Sequence, residues 1–104
     1  MAEMKTVKMF DIINTNIAVT QEDGEKVYLI LMDILKSGCL ITLDFSKIEI
    51  LTSSFLNTAI GKILGTQYKE VFDNKTITIA NISQDDKKVV DIVLNKAKEF
   101  FKKK

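Results

Sequence analysis

The segment Leu40 to Leu64, LITLDFSKIEILTSSFLNTAIGKIL, constrains the fold more than any other. An apolar run, Leu40 to Leu43, stops at Asp44. A short connection follows, and three consecutive hydroxyl residues, Thr52, Ser53 and Ser54, open a second apolar segment. This is the pattern of a buried strand, a carboxylate at its carboxyl end, and a helix whose first turn carries hydroxyls. In an open α/β sheet the crevice past the carboxyl ends of the strands is where ligands and partners dock. Unpaired N–H groups at a helix start also favour anions, including a phosphate carried by serine. The segment therefore marks a place in the fold before it says anything of chemistry.

Periodicity on either side extends the α/β reading. Lys5 to Ile13 reads as a strand, Asn14-Thr15-Asn16 as a turn, and Ile17 to Val19 as a short strand closing a hairpin on the first. Thr20, with Asp23 three residues later, resembles a capping box for a helix over Gln21 to Lys36, which Ser37-Gly38 stops. Val27, Leu31, Ile34 and Leu35 give that helix its apolar spacing. The next helix carries Phe55, Leu56, Ala59, Ile60, Ile63 and Leu64 on one face, with Ile60 toward the sheet and Lys62 away from it. Asp73-Asn74-Lys75 predicts a turn and Thr76 to Ala80 a β-branched strand. Ser83 to Asp86 caps a last helix bearing Val89, Val90, Val93, Leu94, Ala97, Phe100 and Phe101. Strands alternating with helices give an α/β sandwich, and 104 residues without a proline- or glycine-rich break give one domain, residues 1–104.

Composition excludes several kinds of chemistry. The chain has no histidine, which removes Ser-His, Cys-His and His-metal constellations. The single cysteine, Cys39, permits no intrachain disulfide and reads as a small buried residue. Fifteen basic against fourteen acidic residues leave a net charge of +1, which gives no general reason to expect nucleic acid. The basic end, Lys96, Lys98, Lys102, Lys103 and Lys104, reads as a solvated helix terminus that complements the macrodipole. The longest apolar run, Val27 to Met32, is too short for a membrane span, and a cytoplasmic location is the expectation.

The segment LDFSKIEILTSSFLNTAIGKIL resembles STAS domains, the fold of bacterial anti-sigma-factor antagonists and of sulfate-transporter C-terminal domains. Its core, Asp44, Phe45, Ser46, Ser53, Ser54 and Phe55, resembles the STAS-like family of uncharacterised bacterial domains. The likeness runs from about Thr20 through the Ile79 to Ser83 segment. It implies a mixed sheet of four to five strands covered mainly on one face by about three helices. In the antagonists an Asp-Ser-Ser-Gly segment starts the second helix. Its second serine is phosphorylated by a GHKL-type serine kinase, which is also the anti-sigma factor. Aligning the serines places Ser54 at the phosphorylated position and Ser53 before it. Thr52 stands where the antagonists have Asp, and Phe55 where they have Gly.

Two functional expectations follow from the residues and the resemblance together. The first is a non-catalytic regulatory module, not an enzyme, that binds a protein partner such as a GHKL-type ATPase. The surface would comprise Asp44, Leu51, Thr52, Ser53, Ser54 and Phe55, with Ser54 or Ser53 as the candidate phosphosite. The second is a small anion- or nucleotide-binding domain using the same helix start, although no G-x-x-x-x-G-K-[ST] loop is present. Neither reading calls for a metal or a cofactor. Asp44 itself is expected to bond to N–H groups of the following turn, and Asn81 to serve a turn.

Overall fold

The structure, a computed structural model, describes residues 3–102. Along the chain run β1 (Met4–Lys8), α1 (Met9–Ile13), β2 (Ile17–Ala18), α2 (Gln21–Lys36), β3 (Leu40–Asp44), β4 (Ile50–Leu51), α3 (Ser53–Ala59), a 3₁₀ segment (Gly61–Gly65), β5 (Ile77–Ala80) and α4 (Gln84–Lys102). The α/β class expected from the sequence holds. The arrangement of its strands differs from the expectation.

One sheet has three strands in the order β1-β3-β5 and the other has two, β2 and β4. All three ladders are parallel, so the expected single mixed sheet of four to five strands is replaced by two small parallel ones. The predicted hairpin is absent, because β2 pairs with β4 through Ile17↔Ile50 and Ala18↔Leu51 rather than with β1. The predicted strand over Lys5 to Ile13 stops at Lys8. Met9 and Ile13, four residues apart, fall on one side of a helical turn and both enter the core. Asn14 ends that turn in the left-handed region at φ 57°, its N–H donating to the Phe10 carbonyl at 2.8 Å.

β3 is central, flanked by β1 and β5. The side chains of Val7, Leu43 and Ile79 share one face in register, and Ile41 and Ile77 lie on that same face. Thr6, Thr42 and Thr78 form a ladder on the opposite face, which is open to half-open. The strand expected to be buried is therefore fully covered on one face only: Leu40 and Thr42 are half-buried while Ile41 and Leu43 are fully covered. Two crossovers that step the same way across a sheet, both right-handed, set their helices on one face. Consistent with this, α2 and α3 pack against each other, and α4 packs on α3 and the 3₁₀ segment.

α2 follows its sequence signals residue for residue. Thr20 Oγ1 accepts the Asp23 N–H at 3.1 Å, and Gly38 takes a left-handed φ of 82° past the end. Val27, Leu31 and Leu35 are buried, with Ile34 packed at the margin. The helix opened by the hydroxyls is shorter than its apolar stripe. It breaks at Ile60 (φ −125°), and the stripe continues through the 3₁₀ segment, whose three-residue period keeps Ile60 and Ile63 on the same side. Ile60, Ile63 and Leu64 are all buried, so the stripe was a correct reading of the core though not of the helix. Ser83 caps α4, its Oγ accepting the Asp86 N–H at 3.1 Å. Cys39 is half-buried, its Sγ 3.3 Å from the Ser37 hydroxyl, and so is more open than expected.

Candidate site at the start of the third helix

The start of α3 is placed by the β2–β4 ribbon. Glu49 N–H donates to the Asn16 carbonyl at 2.8 Å, and Thr52 N–H to the Ala18 carbonyl at 3.1 Å. The Asn16 side-chain amide also donates to the Glu49 carboxylate. These bonds fix Ile50 to Thr52 against a segment 33 residues earlier. Ile17 and Ile50, partners in the ribbon, keep 40% and 51% of their surface exposed, which sets two aliphatic side chains beside the helix start.

The three hydroxyls then divide into two roles. Thr52 Oγ1 accepts the Phe55 N–H at 3.3 Å and donates to the Val19 carbonyl at 3.2 Å. It is therefore both the N-cap of α3 and a tie to the end of β2. Ser53 and Ser54 are exposed, and neither hydroxyl makes a hydrogen bond among the described residues. Phe55 is wholly buried and anchors the first turn from below, while Leu51 is half-buried. Of the residues assigned to this surface from sequence, Ser53 and Ser54 are exposed, and Leu51 and Thr52 before them are half-buried. Phe55 supports it from the core and presents no side chain on it.

Asp44 belongs to a neighbouring cluster. Its Oδ1 accepts the Ser46 N–H at 2.8 Å and the Asn81 side-chain amide at 3.1 Å. The carboxylate thereby ties the turn after β3 to the turn after β5, where Asn81 is left-handed at φ 57°. The Ser46 backbone N–H holds the Asp44 carboxyl below the usual Asp value, against the opposing effect of burial. The Asn81 amide, the Ser46 side chain and the charge of Lys8, its register partner on β1, act in the same direction as that N–H. Both sequence readings of these residues, turn bonding for Asp44 and a turn role for Asn81, match the geometry. Among the described residues Asp44 makes no hydrogen bond to the helix start, and no group of three His, Cys, Asp or Glu side chains is placed to hold a metal.

Sequence reasoning missed Ile17 as part of this face, because its exposure follows from a two-residue pairing with no local signal. No described helix is long and apolar enough to cross a membrane. No curated protein and no solved structure matches the chain. A family model, that of a STAS-like domain of unknown function, matches residues 23–87, a span that runs from the first turn of α2 into the first turn of α4 and includes Asp44, the three hydroxyls and Asn81. The chain belongs to the family of STAS-like domains of unknown function.

Proposed function

We propose that the domain is a non-catalytic regulatory module that binds a protein partner over Ile50 to Thr52 and the start of α3. Phosphorylation of Ser54, or of Ser53 before it, switches that binding. The observation that carries the reading is the division of labour among the hydroxyls. Thr52 does the capping, so the fold has no need of the other two, yet both stand exposed beside Ile17 and Ile50. Phe55, bulkier than the Gly of the antagonists, is turned into the core and leaves Ser54 accessible.

The partner class implied by the resemblance is a GHKL-type ATPase with serine kinase activity, acting in the cytoplasm. A phosphate here would add about two negative charges to the docking face. The alternative of an anion held at the same helix start has less support. α3 has only seven residues, and Thr52 already satisfies the Phe55 N–H. The test is affinity capture of the tagged chain from its native cells, with mass spectrometry of both co-purifying proteins and modified residues. Enrichment of a GHKL-type ATPase together with phosphate on Ser54 or Ser53 is expected. A chain that carries no phosphate and enriches no protein over an unrelated bait would overturn the proposal.

A further inference from the structure

A groove of about 350 Å³ lies between the 3₁₀ segment and the last turns of α4. Ala97 and Phe101 line it, with Phe100 beside them, and Gly61 lines it with no side chain of its own. The Phe100 and Phe101 rings meet edge to face with centroids 5.0 Å apart. Two lysines, Lys62 and Lys96, and the amide of Asn57 supply the polar lining, and no carboxylate is among the lining residues. Glu25, which is not a lining residue, pairs with Lys62. Lys62 also lies 4.3 Å from the centre of the Tyr28 ring. Lys96 makes no ion pair among the described residues.

Lys96 comes from α4 and Lys62 from the 3₁₀ segment, so the two cations reach the groove from different elements. Asn57 is exposed and lies three and four residues beyond Ser54 and Ser53, the spacing of one helix face. The groove therefore continues the face at the start of α3. An apolar floor whose charged lining is Lys62 and Lys96, with Lys96 in no ion pair among the described residues, complements an apolar side chain flanked by carboxylates. Its concave shape between two elements suits a polypeptide segment rather than a flat charged surface.

We infer that this groove takes an acidic, apolar segment of the protein partner; the inference rests on the docking face proposed above and names the chemistry of what docks there. It also supplies the sign of the switch. A partner drawn by lysines approaches with negative charge, so phosphate on Ser54 repels it instead of recruiting it.

The probe is a random peptide library displayed on phage and selected on the wild-type domain. Enriched peptides should carry Asp or Glu beside a large apolar residue. A synthetic peptide of that kind should lose about tenfold or more in affinity when Lys62→Gln and Lys96→Glu are combined. Its binding should also weaken as salt rises from about 0.05 M to about 0.5 M. Both lysines are exposed, so the double variant should keep its melting temperature, and circular dichroism checks this. Failure to enrich any peptide, enrichment without acidic residues, or an affinity that the double variant leaves unchanged would overturn the inference. Self-association abolished by Lys96→Glu would give the groove to a second copy and overturn it equally. Ser54→Asp separates the two proposals. Peptide binding that depends on the lysines but ignores Ser54→Asp keeps the groove and removes the helix-start switch. The reverse pattern keeps the switch and removes the groove.

Discussion

Among the described residues Asp44 is the one charged side chain that the fold buries, and its surroundings give it a part in how the protein responds to acid. Hydrogen bonds from Ser46 and Asn81 favour the charged form, so the folded carboxyl binds a proton less readily than the unfolded one. A depressed folded value means that the stabilisation is complete above the unfolded pKa and is lost as pH falls through the folded one. Denaturant titrations at several pH values should show stability falling below about pH 4, with Asp44→Asn less stable near neutrality and its acid-side decline shallower. Identical pH profiles for the two proteins would show that Asp44 is not the group responsible. Residues such as these were partly legible in sequence. A carboxylate ending a strand announces a turn bond, whereas the Asn81 amide that meets it comes from 37 residues away and leaves no local trace. The hydroxyl triplet was legible as a cluster, but which member caps depends on which residue keeps an extended backbone before α3, here Thr52 at ψ 157°.

The elements that sequence identified best are those whose signals are local. α2 starts and stops where its cap and its Gly38 place it, since each needs only neighbours within a turn. The misreadings share the opposite cause. Met9 to Ile13 is too short to show a helical period, the β2–β4 ladder joins two residues to two, and the break at Ile60 leaves the apolar pattern intact. Close approach between elements is equally invisible in sequence. Gly24 faces α3 so tightly that a Cβ would sit 2.7 Å from the Phe55 carbonyl oxygen and 3.0 Å from Thr58 Cβ. Ala for Gly inside a helix ordinarily stabilises by roughly 0.5–1 kcal/mol. Here Gly24→Ala must push α2 and α3 apart, and the expected outcome is a net loss of about 1–3 kcal/mol in urea unfolding, as for other overpacked sites. An unchanged or raised midpoint would mean that α3 is free to shift, which would also loosen the helix start it presents.

At the scale of the molecule, the three-stranded sheet gives its apolar face to the core and keeps its threonine ladder toward solvent. Asn57 of α3, three residues beyond Ser54, lines the groove beside α4. The family and the α/β class were legible in the segment from Leu40 to Leu64, and so was the hydroxyl cluster on which the proposed site rests. The parallel pairing and its division into two sheets were not, because they are set by crossovers rather than by any strand's own residues. The central claim is that folding uses Thr52 and leaves Ser54 for binding. It is tested most directly by comparing Thr52→Ala, Ser54→Ala and Ser54→Asp, measuring for each the melting temperature and the affinity for the captured partner. Thr52→Ala should lose about 1 kcal/mol of stability through the missing cap. Ser54→Ala should match wild type in both quantities, within about 0.5 kcal/mol. Ser54→Asp should fold as well as wild type, since a carboxylate in the first turn is worth roughly 0.3–1 kcal/mol in its favour, yet bind the partner at least about tenfold more weakly. A Ser54→Asp protein that melts early, or that binds as tightly as wild type, would contradict the account.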